Sequence, residues 1–224
     1  MPVIAIDALR QLQRRASERA LKPAPERLRR EALALVEAES LAQAQASYRL
    51  VPIEHIGAQG LLCIEGHTLP APWLLPERGQ LTAVACAVCT LGPDLPARVQ
   101  SLFDERRAAL AVGLDALGNE LLFAASRVLQ DRMLADARRQ GLSMAGELRA
   151  GDPGLAIETQ GTVLQLAQAE RVGVRLSAGG MMHPVKTTSM VLGVGLALPP
   201  AHWSRCDHCP TRDRCKLVQS EATA

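Results

Sequence analysis

Apolar residues recur along this chain with two periods, one helical and one extended. Leu110, Leu114, Leu117, Leu121, Ala125 and Val128 return every three or four positions, so the spacing predicts a long helix over 104–140. Asp104 reads as its N-cap and Gly141 as the left-handed residue that ends it, with a softer middle at Gly118-Asn119. Residues 1–47 read as helical too. Pro25 suits a first turn, where its missing N–H has no partner to lose, and Leu28, Ala32, Leu35 and Val36 then share a face. Arg14, Arg15, Arg19, Arg27, Arg29 and Arg30 make this part basic, which reads as a solvated helix face or as a docking surface for an acidic partner.

The extended period appears elsewhere. Residues 48–67 predict short strands with turns at Gly57, Gly60 and Gly66. Residues 82–91 (Thr82 to Leu91) are apolar on both faces and rich in small residues, and predict a buried central strand. Gly92-Pro93-Asp94 ends that strand and starts a helix. Residues 171–176 alternate, and 186–196 do so clearly: Thr188, Met190, Leu192, Val194 and Leu196 on one face, Thr187, Ser189, Val191, Gly193 and Gly195 on the other. The second face is mostly small, which predicts close approach by another backbone, a helix or a ligand. Helices and strands mix without a regular alternation, so the fold class is α+β rather than a doubly wound sheet. The expected organisation is one domain over 1–200, helical at its N-terminal end, and a tail over 201–224.

Composition narrows the function. Hydrophobic residues are 48% of the 224, enough for a core, and the formal net charge is only +2, too small a field to steer the chain onto nucleic acid. Tyr48, Phe103, Phe123, Trp73 and Trp203 are all the aromatics there are, too few for a base-stacking surface. No uninterrupted apolar run reaches the roughly 18 residues of a membrane span, and the opening Met1-Pro2-Val3-Ile4-Ala5-Ile6-Asp7 is no secretory signal. With six cysteines and no signal, reduced thiols or metal ligands are expected rather than disulfides, and with them a cytoplasmic location without a membrane partner.

Cys86 and Cys89 form a C-x-x-C, but on a strand their side chains point to opposite faces, so they read as core, as does Cys63. Cys206, Cys209 and Cys215 differ: C-x2-C-x5-C in a polar, turn-like segment lets short-spaced thiolates converge on one soft metal. His208, His202 or an outside ligand would complete a zinc site, and an iron–sulfur cluster with an open iron is the other chemistry such a set allows.

Two glycine-bent loops are candidate ligand sites. In Arg149-Ala150-Gly151-Asp152-Pro153-Gly154 the backbone is open to close approach, Arg149 matches a carboxylate, and Asp152 accepts from hydroxyl or amino groups. In Ser177-Ala178-Gly179-Gly180-Met181-Met182-His183-Pro184 two methionines offer soft apolar contact. No nucleophile elbow, phosphate loop or dinucleotide fingerprint is present.

The order of these segments resembles a known family. A strand ending Thr90-Leu91-Gly92-Pro93-Asp94-Leu95 precedes a helix with Leu114-Asp115-Ala116-Leu117-Gly118. The Gly-Asp-Pro-Gly loop follows, then Glu170-Arg171-Val172-Gly173-Val174-Arg175-Leu176, then Met181-Met182-His183-Pro184 leading into a strand. Over roughly 80–200 this is similar to the activation, or reactivation, domain of cobalamin-dependent methionine synthase, and with its Cys-rich tail to that domain's short stand-alone relatives.

The resemblance implies a twisted antiparallel sheet with long helices, S-adenosylmethionine bound in a shallow groove, and cobalamin carried by a partner. That partner would be a corrinoid-binding methyltransferase, served by a reductase or other electron donor. By analogy the ligand contacts are Arg149, Gly151, Asp152, Pro153, Gly154, Met181, Met182 and Pro184, with Asp115 and Glu120 as groups for the ligand's ammonium. The family's loop has arginine four residues before a Gly-Tyr pair, whereas Arg149 stands five before Gly154 and Leu155 stands where tyrosine would. The implied function is support of reductive methylation of a corrinoid. The alternative is an iron–sulfur or zinc-carrying redox or scaffold partner of a corrinoid protein, without a methyl donor.

Overall fold

The computed structural model describes residues 3–15 and 23–199. The fold is α+β. Its strands and helices are β1 (Ile4–Ile6), α1 (Ala8–Arg15), α2 (Pro23–Ala38), β2 (Ala44–Pro52), β3 (His55–Ile56), β4 (Leu61–Ile64), β5 (His67–Pro70), β6 (Gln80–Thr90), α3 (Asp94–Asp104), α4 (Ala108–Arg139), β7 (Ser143–Leu148), α5 (Gln160–Leu166), β8 (Arg175–Leu176), β9 (Met182–His183) and β10 (Thr187–Leu196). Five strands pair in the order β1-β2-β6-β10-β7, β3-β4-β5 form a second sheet, and β8-β9 a hairpin. The pairs β1–β2 and β10–β7 are antiparallel. The sheet order puts β6 in the middle, which is why every residue from Ala83 to Thr90 is buried.

The chain divides into two compact units, Met1–Arg49 with Ala87–Met133 and Leu164–Ser189, and Leu50–Cys86 with Leu134–Val163 and Met190–Ala224. In the first unit, α4 buries Leu110, Leu114, Leu117, Leu121 and Ala125 of the stripe that its spacing predicts; Val128 is only half-buried, and Leu129 and Met133 take the buried positions beyond it. Ala32 and Val36 of α2 are fully buried; an ion pair from Arg29 to Glu120 ties α2 to α4, and one from Arg107 to Glu31 ties α2 to the turn just before α4. Among the described helices α4 is long and apolar enough to cross a membrane by length and composition, a test that a buried core helix also passes. In the second unit, Leu62, Ile64 and Leu69 are buried under the β3-β4-β5 sheet.

Several expectations are corrected. The first 47 residues are not all helix: Ile4 and Ile6 bury while Ala5 stays exposed, and this alternation pairs with β2 at Ile4↔Ala46 and Ile6↔Ala44. Asp104 does not cap the long helix. It is the last residue of α3, and the chain turns through Arg106 in a left-handed conformation before α4 begins at Ala108. Over 171–176 only Arg175 and Leu176 are extended, because a 3-10 turn over Ala169–Val172 closes on left-handed Gly173. β7 was not foreseen. Gly141 does end α4 left-handed, and the Leu142 N–H bonds the Ala137 carbonyl at 3.0 Å. Gly118 leaves α4 unbroken.

Candidate functional site

The loop after β7 is built by its own polar groups. The Asp152 carboxylate accepts the Arg149 N–H at 2.9 Å, and the Asp152 N–H returns to the Arg149 carbonyl at 2.8 Å. The Gly151 N–H bonds the Leu155 carbonyl at 2.9 Å. Gly151 at φ 94° and Gly154 at φ 86° hold conformations that a side chain would strain. A Cβ on Gly154 would lie 2.6 Å from Trp73 Cγ, so the loop lies directly against that indole. The Arg149 guanidinium reaches Glu147 Oε1 through Nε at 3.0 Å and Nη2 at 2.8 Å. All five residues expected here, Arg149, Gly151, Asp152, Pro153 and Gly154, thus share one compact loop edged by a carboxylate and an aromatic ring.

Glu147 and Trp73 were not foreseen as its neighbours. Glu147 sits on the missed strand β7, two residues before Arg149 and so on the same side of the chain. For Trp73 the one signal was rarity, since only two tryptophans occur in the chain.

The remaining candidates lie in the first unit. Ser177 ties the β8-β9 hairpin: its Oγ accepts the Met181 N–H at 3.1 Å, and its own N–H donates to the Met181 carbonyl at 2.9 Å. Gly180 turns left-handed between them. Met181 is 62% exposed at the tip, while Met182 and Pro184 are half-buried. The His183-Pro184 peptide is cis. Thr187 donates to the Pro184 carbonyl at 2.6 Å and lies 2.8 Å from Thr90 Oγ1, which accepts the Gly92 N–H at 3.2 Å. Next to this hydroxyl pair an open cleft of about 440 Å³ is lined by Thr90, Gly92, Asp94, Arg175, His183 and Pro184, among others. That size lies within the range of small-molecule sites.

Asp115 and Glu120 are both engaged. Asp115 Oδ1 is 2.8 Å from the Lys186 ammonium, and Glu120 Oε2 is 2.7 Å from Arg29. A ligand ammonium would have to displace these cations. The small-residue face of β10 is also occupied at its far end. A Cβ on Gly195 would lie 1.9 Å from the Gln80 carbonyl oxygen, and one on Gly193 would meet Leu81 at 3.0 Å and the Ala145 carbonyl at 3.1 Å. Neighbouring backbone and the Leu81 side chain, not a ligand, use that space.

Cys206, Cys209 and Cys215 lie outside the described residues, and among the described residues no three His, Cys, Asp or Glu side chains group as metal ligands. Cys86 and Cys89 are buried in β6 as expected, neither in a disulfide, and burial pushes the Cys89 thiol up to about 12. Cys63 departs from expectation: it is only half-buried, with its sulfur 3.2 Å from His55 Nε2.

An α+β chain with a five-stranded sheet, a 32-residue helix and a self-bonded glycine loop after β7 is the class defined so far. Its fold is similar to that of a solved structure, the MetH reactivation domain bound to AdoHcy, with a TM-score of 0.64 over 99% of this chain and 88% of that one, at 12% sequence identity. At that identity the likeness is one of fold. No protein-family model matches the sequence, and no curated protein matches it.

Proposed function

We propose that this chain binds S-adenosylmethionine and supports reductive methylation of a corrinoid held by a separate methyltransferase. The observation that carries this reading is the fold likeness, nearly end to end, to a reactivation domain whose structure holds S-adenosylhomocysteine. The donor set of the loop after β7 supports it. Arg149 would pair with the ligand carboxylate in exchange for Glu147, and Asp152 and Glu147 would accept from its ammonium or ribose hydroxyls. Gly151 and Gly154 let backbone approach closely, and Trp73 offers an apolar surface beside them. Met181, Met182 and Pro184, and Asp115 and Glu120 after their cations exchange, are candidate contacts of the first unit taken by itself. The corrinoid and the methyl donor supply the chemistry; this chain's part is to hold the donor in place.

The test is reconstitution. A corrinoid methyltransferase with cob(II)alamin, a low-potential reductant and methyl-labelled S-adenosylmethionine should yield labelled methylcobalamin only when this chain is added. Equal labelling without it overturns the reading.

A second reading has its own observation. Asp152 accepts from the Arg149 backbone and the Arg149 guanidinium pairs with Glu147, so these groups have protein partners without a ligand, which suits an interaction module that keeps the fold and binds only the corrinoid protein. Complex formation indifferent to S-adenosylmethionine would favour it. The proposal also treats the Cys-rich tail as a separate metal-carrying segment. Elemental analysis distinguishes zinc, and absorbance near 400 nm an iron–sulfur cluster.

A further inference from the structure

The small sheet carries a reactive pair outside the proposed ligand loop. His55 and Cys63 are directly opposed across β3–β4, and Cys63 is in turn opposed to Thr68 across β4–β5. Directly opposed residues of an antiparallel pair project to the same face. On β4, Leu62 and Ile64 take the buried face, so alternation sends Cys63 to the other. Strand register thus places the two side chains beside each other on one face, where Cys63 Sγ lies 3.2 Å from His55 Nε2. A cysteine serving only as packing would be expected on the Leu62 and Ile64 face. This one is half-buried beside an exposed histidine.

We propose that Cys63 is a nucleophilic thiol, with His55 as its base, that exchanges with low-molecular-weight disulfides. In the exchange Cys63 Sγ attacks one sulfur of the incoming disulfide. A new Sγ–S bond forms as the old S–S bond breaks. The Cys63 proton passes to His55 Nε2 and then to the departing thiolate, which leaves as a thiol. The incoming disulfide is the oxidant: Cys63 is oxidised to the mixed disulfide, and one half of the reagent is reduced. The other described cysteines cannot compete, since Cys86 and Cys89 are sealed in the sheet.

The test is to treat the pre-reduced, full-length protein with oxidised glutathione at neutral pH and read each cysteine by peptide mass mapping. Cys63 should acquire glutathione before Cys86 and Cys89, and faster than the cysteine of a free peptide carrying the same Leu-Leu-Cys-Ile segment. His55→Gln should slow modification of Cys63 by about tenfold or more, with circular dichroism unchanged. Reaction at Cys63 no faster than in the free peptide overturns the proposal, as does an unchanged rate in the variant. The peptide comparison needs no substitution, so it decides the matter even where His55→Gln disturbs folding.

Discussion

Lys186 Nζ lies 2.8 Å from Asp115 Oδ1, and its other two protons are taken by the Asp115 carbonyl at 3.1 Å and Asn119 Oδ1 at 2.7 Å. A nearly buried ammonium is thereby fully satisfied, and the start of β10 is pinned to the middle of α4. Removing an acceptor leaves a buried charge short of a partner. Asn119→Ala or Asp115→Ala should each cost about 1–3 kcal/mol in urea denaturation. Lys186→Met, which removes the charge and leaves the half-exposed Asp115 to water, should cost less than Asp115→Ala.

Two glycines of α4 should respond oppositely to alanine. At Gly113 an added Cβ has only Leu28 Cβ near it, at 4.0 Å, so Gly113→Ala should stabilise by roughly 0.5–1 kcal/mol through helix propensity. At Gly118 the Cβ would lie 2.9 Å from the fully buried Leu95 and 3.3 Å from Lys186 Cε. Overpacking of about 1–3 kcal/mol there outweighs the propensity gain, so Gly118→Ala should lower the melting temperature. Thermal unfolding of the two variants side by side reads the contrast.

Cys89 predicts a pH dependence. Burial pushes its thiol from 9.0 up to about 12, so between those values the unfolded chain has lost this proton while the folded chain keeps it. Stability from this group is intact below pH 9 and falls as pH rises toward 12, by up to about 1.4 kcal/mol per pH unit. Denaturant midpoints of the native protein and Cys89→Ala, taken from pH 8 to 11, should converge as pH rises.

The ligand loop separates binding from stability. The Arg149–Glu147 ion pair is partly exposed, so Arg149→Ala should cost under about 1 kcal/mol of stability yet weaken S-adenosylmethionine binding by tenfold or more. Gly154→Ala should do both, because its φ of 86° resists a side chain and the new methyl would run into Trp73. Calorimetric titration and thermal melts on both variants distinguish the two effects.

What the sequence disclosed follows the strength of local signals. The stripe from Leu110 to Ala125 and the largely apolar run from Thr82 to Leu91 were legible because each keeps one consistent pattern along its length. Gly92 and Gly141 were legible as turns because both need a left-handed backbone. β1 and β7 were not, since three and six residues carry too little alternation, and all of β7 except Leu148 is only half-buried. Asp104 misled because the same residue types end one helix and begin the next. At the site, the loop from Arg149 to Gly154 was visible as glycine-rich chemistry. Its neighbours Glu147 and Trp73 were set by an unforeseen strand and a contact distant in sequence. The engagement of Asp115 and Glu120 by Lys186 and Arg29 was likewise a tertiary outcome that no spacing announces.

Isothermal titration of the full-length chain with S-adenosylmethionine tests the central claim most directly. The account predicts saturable one-to-one heat at micromolar ligand, reproduced by S-adenosylhomocysteine and weakened about tenfold or more in Arg149→Ala. Absence of heat at high micromolar ligand, with the protein folded by circular dichroism, would contradict it.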